Sequence, residues 1–560
     1  MAPYLTADVE VSWSLAPADF EDLEVVVTAQ DTGHNEDYDK WLPRGQLQDW
    51  HQPGSLLNLV AVLRKTNGAP TTFTANQFIF ELSEVSHESG VCMNRPIKQF
   101  ANTDPDLKFD ELFNLPPFVP TPVLVRSAFR AETVPFPVPS TRGEVILSCY
   151  DFGAYGVLRV TADVGGLQIP GYIKNDPAKK TKILLPKRKE DSHIADFWKE
   201  DKGVDDLPDT DDQENDPEGD KHQGDGLTLY EEYRGFSENL KHVRANPKKK
   251  DLFIADTINN WRSKNGIALF AWQTGLKVHH QLQPAELSSR ADLTDRWINF
   301  NTNNDTPHVV DQHGLLLEVS PKDLSEAVPI DEFSGKISTP GSREIIFIYR
   351  FITAPSTAPS SRKNIDGINE VTRNGTNIII TDNAQSTTAH ELAHGCSVWH
   401  HGECDKKLEW RISLKLGDRT PPPYIASEQG GLNIVLKQEP NVVMSSIPFI
   451  GTREIWLGMP QGQHSGVEDC IMRYDIARAY PQRNSLDVRF WVKGDEMTGL
   501  FFCTTATGTG VNLAGRVPQS RYGDAANAGA PNGRGNCKGQ ICVNDLYLRH
   551  ALHDRTVICP

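Results

Sequence analysis

The sequence contains no continuous apolar run long enough to cross a membrane, and its start lacks the features of a secretory signal. A membrane-spanning helix needs about 18 or more successive apolar residues, and no window of the 560 residues approaches that length. The first residues, MAPYLTADVEVSW, lack the basic start and apolar run of a signal peptide. We therefore expect no membrane span, and either a protein that stays inside or a chain that begins after processing.

Positive charge is also scarce. The chain has 57 Lys and Arg against 74 Asp and Glu, which gives a formal net charge of −17 and a pI near 5.5. Nucleic acids and anionic membranes favour clustered basic residues. The one basic run, NPKKKD at 246–251, is short and fits a solvated turn. We therefore expect neither kind of partner.

Cysteine is infrequent and unevenly placed. Five of the nine cysteines lie in the last hundred residues, and two more, Cys396 and Cys404, flank a histidine-rich stretch. This usage is typical of an oxidising compartment and predicts about three or four disulfides, whose pairing the sequence leaves open. We expect an extracellular or secreted protein.

The length of 560 residues predicts three or four domains, and the composition of the sequence changes several times along it. Residues 1–175 consist of short alternating runs between turn residues and predict one or more all-β sandwich modules. Residues 176–245 form an acidic segment with the composition of a linker. Residues 246–490 mix helical and strand patterns, which predicts an α+β domain. Residues 255–282 look largely helical, and strands are predicted at RWINFN (296–301), GLLLEVS, EIIFIYRFI and TNIIITD and around WRISLKL, LNIVLKQ and REIWLGM. Residues 491–560 are rich in Cys and Gly and predict a loop-dominated tail.

A possible calcium site lies at the end of the acidic segment. The stretch GDGLTLYEEY resembles the end of an EF-hand-like loop, with Asp225 at the fifth position, Gly226 at the turn and Glu232 at the twelfth. It also resembles the Asp-rich calcium repeats between domains of secreted bacterial proteins. Lys221 and Gln223 occupy the first and third positions, so two expected oxygen donors are missing or weakened. The segment is therefore either a degenerate Ca²⁺ site or a plain acidic linker.

A second metal site is predicted by the sequence HELAH. Its spacing puts His390 and His394 on one face of a helix, where both imidazoles can meet one ion. Glu391 can reach a metal-bound water, as the general base of zinc peptidases does. Zinc held by three protein groups keeps a fourth position for that water. Two packed helical histidines with no metal are the alternative.

The third zinc ligand depends on where the helix ends. Along an unbroken helix, His400 would lie about 9 Å beyond His394, and His401 about 10.5 Å, whereas ligands of one zinc ion lie within roughly 3.5 Å of one another. Neither histidine can join the site unless the helix stops and the chain turns back.

These residues resemble the metzincin clan of zinc metallopeptidases, whose pattern is HExxHxxGxxH. In that clan the helix ends at the glycine, and the resemblance implies that His400 is the third ligand. Here Ser397 replaces the glycine, and Gly395 falls two residues early. His401, Glu403 and Asp405 are the alternatives to His400. Cys396 is better suited to a disulfide, for instance with Cys404, than to the metal.

The resemblance has a second element, a tight turn with a methionine beneath the metal. EDCIMRYD at 468–475 looks like this turn, with Met472 at the base of the site. Tyr474 matches the tyrosine of astacin-like and serralysin-like members and is implied as an oxyanion donor. A core methionine and an ordinary tyrosine are the alternatives. The resemblance spans about 250–490, and it implies that TNIIITD forms the upper rim of the cleft.

The implied function is that of a secreted metzincin-like zinc endopeptidase, which hydrolyses peptide bonds in a protein or peptide substrate. An alternative is a surface-binding or adhesion protein with a structural or inactive zinc site. A third possibility is a zinc hydrolase whose third ligand is a glutamate, Glu409 or Glu428. Substrate preference, metzincin family, activation and oligomeric state stay open at this point.

Overall fold

A computed structural model gives the structure of the protein over the N-terminal half of the chain and over shorter pieces beyond it. The described residues are 22–120, 123–133, 140–217, 223–289, 296–301, 312, 314–319, 335–336, 345–348, 368–373, 376–381, 388–389, 392–393, 395–396, 409–414, 433–436, 453–458 and 541–544. Across these ranges, none of the helices combines the length and the apolar character that a membrane span requires.

The N-terminal region is built from β-strands, as the alternating sequence pattern predicts. Strand β4 shows the pattern clearly, because buried and partly exposed residues alternate along its whole length. Between residues 22 and 185 the structure describes one sheet of eleven strands. They are β1 (Leu23–Asp31), β2 (Glu36–Asp37), β3 (Ser55–Lys65), β4 (Gln77–Ser83), β5 (Leu107–Lys108), β6 (Val123–Ser127), β7 (Arg130–Thr133), β8 (Arg142–Cys149), β9 (Gly156–Val164), β10 (Leu167–Ile173) and β11 (Ile183–Leu185).

This sheet curls around a single core. Its strand order is β5-β8-β3-β1-β10-β9-β4-β7-β6, with β2 on β1 and β11 on β9. Neighbours along this path are antiparallel except β1 and β10, which are parallel. Side chains from both halves, such as Leu57 and Val145 on one and Phe80 and Val160 on the other, share one apolar cluster. The expectation of a β-rich N-terminal module is confirmed. Two 3-10 turns, Lys98–Phe100 and Leu112–Asn114, lie in its loops.

The acidic segment has more structure than its composition predicts. Strand β11 extends the sheet past residue 175, and the segment contains helices α1 (Asp196–Lys202) and α2 (Leu229–Arg234). The two helices pack through a small apolar cluster that includes Trp198 and Tyr233, whose rings meet edge to face. A few well-placed apolar residues therefore give a local core to a stretch in which acids predominate.

A mixed sheet follows the acidic segment. The strand β14 (Asp251–Asp256) is its first member, and Leu252 and Ile254 belong to one apolar cluster while Phe253 and Ala255 belong to another. Such burial of both faces is typical of parallel strands. The other helices and strands of this part of the chain are β12 (Phe236–Glu238), β13 (Lys241–Val243), α3 (Trp261–Thr274), β15 (Lys277–His279), α4 (Pro284–Leu287), β16 (Gly314–Val319), β17 (Gly335–Lys336) and β18 (Ile345–Ile348).

The order in this sheet is β15-β14-β16-β18-β17, while β12 and β13 form a separate hairpin. All pairs are parallel except the edge pair β17–β18. The predicted helix after β14 is confirmed as α3. Residues 296–301, predicted as a strand, form none: the Asn301 N–H donates to the carbonyl of Met93, and the Asn301 side chain to that of Pro96. Contacts with the N-terminal module thus hold the end of this segment.

Around the HELAH sequence, the structure describes a helical backbone at residues 388, 389, 392, 393 and 395. Ala389, Leu392, Ala393 and Cys396 are buried in one cluster with residues of β14, β16 and α3. The same cluster contains Ile541 and Val543 near the C-terminus. The helix is therefore packed on the mixed sheet, and part of the C-terminal tail packs beside it.

Five further strands lie in the second half of the chain. TNIIITD forms a strand, as predicted, and pairs antiparallel with the strand before it. The three strands predicted around WRISLKL, LNIVLKQ and REIWLGM are also confirmed and form one antiparallel sheet. The five strands are β19 (Ile368–Arg373), β20 (Thr376–Thr381), β21 (Glu409–Leu414), β22 (Asn433–Leu436) and β23 (Arg453–Gly458).

A buried arginine connects the N-terminal module to the rest of the chain. Arg234, the last residue of α2, is 1% exposed and donates two hydrogen bonds to the Asp151 carboxylate just after β8, the shorter at 2.7 Å. Its other donors reach the carbonyls of Ser89 and Asn301. Because breaking a buried pair leaves an uncompensated charge, this contact makes the junction sensitive to mutation.

We predict that Arg234→Ala lowers the free energy of unfolding by about 3–5 kcal/mol, because Asp151 then keeps a buried charge without its partner. Arg142→Ala is the matched control. Arg142 is 56% exposed and pairs with Glu144 at 2.9 Å, so its loss should cost about 1 kcal/mol or less. Urea-induced unfolding of both variants measures the difference, and equal effects would contradict the prediction.

Candidate metal centre

Five carboxylates converge at one end of the mixed sheet. The oxygen atoms of Asp225, Glu232 and Asp251 lie within 4.8 Å of one another, and those of Asp212, Glu214 and Asp225 do the same. Asp225 belongs to both groups and is fully buried. Since Ca²⁺–O distances are about 2.3–2.6 Å, oxygens this far apart can share one ion.

A tight turn places Asp225 at the centre of the cluster. Gly224 and Gly226 flank it with φ angles of +79° and +93°, a backbone region that favours glycine. A Cβ on Gly224 would lie 2.1 Å from Oδ1 of Asp212, so no side chain fits there. The Asp212 Oδ1 accepts a hydrogen bond from the Asp225 N–H at 2.9 Å. The turn therefore brings together two carboxylates that lie 13 residues apart in the sequence.

Helix α2 supplies Glu232. The helix begins with a capping box, in which Thr228 and Glu231 each accept a hydrogen bond from the backbone of the other. Glu232, one residue further on, points into the cluster and is 2% exposed. Its Oε1 is buried and has no hydrogen-bond partner in the described part of the chain. Buried carboxylate oxygens normally have a partner, so this oxygen is an unusual feature.

Asp251 reaches the cluster from the first position of β14. Its backbone N–H donates to Oδ2 of Asp225 at 2.6 Å. Its carboxylate accepts from the Asn246 N–H at 3.0 Å and contacts Nε2 of His279 at 2.7 Å. Burial lowers the pKa of His279, but hydrogen bonds to Asp251 and to Glu238 raise it further than burial lowers it. His279 thus holds the Asp251 carboxylate in place.

The carboxylates raise one another's pKa values. Burial is the largest cause for every one whose pKa is shifted, and the neighbouring negative charges add to it. The pKa of Glu214 rises to about 8 and that of Asp212 to about 6, while those of Asp225 and Glu232 rise well above their ordinary range. Without a cation, Glu214 therefore favours its protonated form at neutral pH.

Positive charge near the cluster is limited. The ammonium of Lys250, itself buried, lowers the pKa of Glu214 but does not offset the effect of burial. Among the described residues, His279 is a further candidate cation, and it contacts Asp251 at 2.7 Å. A set of five carboxylates offers only hard oxygen donors, which suit Ca²⁺ or Mg²⁺ rather than the nitrogen and sulfur sites of zinc.

The structure brings together the two residues predicted for calcium, Asp225 and Glu232. The first and third loop positions add no described ligand: Gln223 is exposed, and Lys221 lies outside the described residues. Asp212, Glu214 and Asp251 supply carboxylates instead. The spacing of Asp212 and Glu214 within the acidic run was a sequence signal that these two residues could be ligands. Nothing in the sequence pointed to Asp251, because only the fold brings it close.

The residues predicted for zinc and catalysis all lie outside the described part of the chain. These are His390, Glu391, His394, His400, Met472 and Tyr474. The alternatives His401, Glu403 and Asp405 lie outside it as well. Their roles therefore stay predictions, supported only by the surrounding residues whose positions are known.

Cys92, Cys149 and Cys396 are buried free thiols. Cys396 is a packing residue, so the suggested disulfide with Cys404 is not formed. Burial raises the pKa of Cys92 and of Cys149 to about 12, so both stay protonated and unreactive.

Comparison with known proteins gives no assignment. No protein-family profile and no curated protein matches the sequence. Two solved structures share a weak likeness: "Crystal structure of human F-spondin reeler domain (fragment 1)" and "The crystal structure of Reelin-N domain of F-spondin". Each is 10% identical and covers 30% of this chain, with 88% and 87% of the other chain covered and TM-scores of 0.16 and 0.15. At these TM-scores the likeness carries no argument.

The raised pKa of Glu214 predicts how the stability of the metal-free protein depends on pH. Below about pH 4.5 both folded and unfolded forms hold the proton; between there and about pH 8 only the folded form does. This group therefore makes the free energy of unfolding fall as pH rises through that window, by up to about 1.4 kcal/mol per unit. Glu214→Gln should remove that slope. Urea unfolding of both proteins at several pH values measures it, and identical slopes would contradict the assignment.

Proposed function

We propose that the chain is a zinc-dependent endopeptidase of the metzincin type. In this proposal His390, His394 and His400 hold the zinc ion, and Glu391 is the general base. The α+β domain at 246–490 carries this site, and the substrate is a protein or peptide. The observation that carries the proposal is the HELAH sequence itself, on a helix whose neighbouring residues pack in the core.

The buried face of the helix supports this arrangement. Ala389, Leu392, Ala393 and Cys396 follow the spacing i, i+3, i+4 and i+7, which forms one stripe along a helix. All four are buried in a single cluster, and the Cys396 N–H donates to the Leu392 carbonyl at 3.0 Å in helical geometry. On a regular helix, positions 390 and 394 fall together on an adjacent face. In this proposal, the two histidines therefore lie on a face next to the buried stripe.

The mixed sheet supports the proposal as well. Helix α3 and the HELAH helix share a cluster with one face of β14 and β16. A helix packed on a sheet is held rigidly, which a catalytic site needs in order to keep its ligands in place. This setting agrees with the strand-then-helix entrance that the motif requires.

The proposed chemistry is hydrolysis of a carbonyl. Bound zinc would supply Lewis acidity and a water of lowered pKa. Glu391 would take the proton from the attacking water and pass it to the leaving amine. Tyr474 would donate to the developing oxyanion, and Met472 would lie beneath the ligands. An extended substrate would add to β20 on the side that does not pair with β19.

The alternative is a surface-binding or adhesion protein with a structural or inactive zinc site. The large N-terminal β-rich module favours it, because modules of this kind more often bind or position than catalyse. The two functions differ in one property. A peptidase turns over substrate, whereas a binding protein that contains zinc does not.

We predict that Glu391→Gln retains stoichiometric zinc and loses peptidase activity by about 100-fold or more, because the general base is lost while the ligands stay. Metal analysis, with casein and gelatin as substrates, measures both properties. Glu200→Gln, at an exposed position of α1, is the control and should keep both. Zinc-loaded wild-type protein that cleaves no substrate would favour the binding function.

The third ligand can be tested separately. We predict that His400→Ala loses its zinc, since two protein ligands hold the ion much less tightly than three, and that His401→Ala keeps it. Metal content after dialysis against weak chelator measures this. A His400→Ala protein that retains stoichiometric zinc would point instead to a glutamate ligand, Glu409 or Glu428.

A further inference from the structure

The cluster around Asp225 points to a second metal site, independent of the proposed zinc site. We propose that its carboxylates bind Ca²⁺ and that the ion fixes the acidic segment to the first strand of the mixed sheet. The ligands assigned are Asp212, Glu214, Asp225, Glu232 and Asp251.

The first argument for an ion is the cost of the cluster without one. Isolated buried carboxylates are strongly unfavourable unless they are paired or bind a metal. Here three of them, Asp225, Glu232 and Asp251, are at most 2% exposed. Glu232 in particular has a buried oxygen with no partner, although it lies beside four other acids. A cation among these oxygens would satisfy that atom and offset the repulsion.

The second argument concerns the choice of ion. Ca²⁺ accepts six to eight oxygen ligands in irregular geometry, and a set of five carboxylates can supply these largely by itself. Mg²⁺ demands a near-ideal octahedron and retains several waters, which a buried set of acids does not favour. Zinc sites use imidazole and thiolate, and the imidazole of His279, among the described residues, already contacts Asp251. The donor set therefore selects Ca²⁺.

The third argument is the place of the site in the fold. Asp212, Glu214 and Asp225 belong to the acidic segment, whereas Asp251 begins β14 of the mixed sheet. Helix α2 bears Glu232 at the cluster and, two residues later, Arg234 at the N-terminal module. An ion held by Glu232 and Asp251 would therefore fix helix α2, which contacts the N-terminal module, to the first strand of the mixed sheet.

The C-terminal tail connects this site with the HELAH helix. The side chain of Asn544 donates to the Gly224 carbonyl at 3.4 Å, beside the turn that carries Asp225. Two residues earlier, the Cys542 N–H donates to the Cys396 carbonyl at 2.9 Å. Residues 541–544 thus contact both the acidic turn and the helix. An effect of Ca²⁺ on peptidase activity rests on the proposed function, but binding and stability do not.

The experiment uses the full chain, stripped of metal and then given back one equivalent of zinc. Ca²⁺ is titrated by calorimetry, and the melting temperature is measured with and without it. Wild-type protein should bind one or two equivalents and melt roughly 5 °C or more higher at a Ca²⁺ concentration 100 times the Kd. Glu232→Gln should bind at least about 10-fold more weakly and lose most of the shift.

The controls separate binding from folding. Asp206, in the same acidic segment, is fully exposed, so Asp206→Asn should behave as wild type. Glu232→Gln removes a buried charge, and it breaks no hydrogen bond to Oε1 because none is made there. Without Ca²⁺, this variant should therefore melt no lower than the wild type. Glu214→Gln is the second variant and should also weaken binding. No Ca²⁺ binding by the wild type, or equal binding by both Gln variants and the wild type, would overturn the proposal whether or not the protein is a peptidase.

Discussion

The connection between the N-terminal module and the mixed sheet depends on how several buried carboxylates are accommodated in one small volume. Burial and mutual repulsion raise the pKa values of Asp225 and Glu232 well above their usual range, so the local structure must offset a large unfavourable term. The backbone contributes, because N–H groups donate to Asp212, Asp225 and Asp251. These contacts leave an oxygen of Glu232 unpaired, which is why a divalent cation fits the arrangement better than protons do.

Helix α2 transmits this constraint to the rest of the fold. A helix of six residues is too short to be stable by itself in water, so its order comes from what its side chains contact. Glu232 lies in the acidic cluster, Tyr233 in the apolar cluster with α1, and Arg234 against Asp151 of the N-terminal module. Three successive residues thus join three parts of the molecule, and the acidic segment is a packed connector rather than a loose spacer.

Sequence patterns predicted the parts of the structure that depend on local periodicity. Alternation predicted the N-terminal strands, and loop spacing identified Asp225 and Glu232. The same reasoning missed Asp251, because its proximity depends on strand pairing between distant segments. It also missed the core of the acidic segment, since a few residues such as Trp198 and Tyr233 give a cluster that average composition hides. Where a strand was expected at 296–301, the Asn301 side chain donates to the Pro96 carbonyl of the N-terminal module, a contact between distant segments that local periodicity does not show.

We propose two metal sites of different chemistry, a zinc site of histidines for hydrolysis and a calcium site of carboxylates for assembly. The helix proposed for the first packs on the strand whose initial residue belongs to the carboxylate cluster proposed for the second. Crystallography of the metal-loaded protein with anomalous scattering tests this most directly. The account predicts a zinc peak bonded to His390, His394 and His400, and a separate calcium peak among Asp225, Glu232 and Asp251. Density without metal at both positions would contradict it.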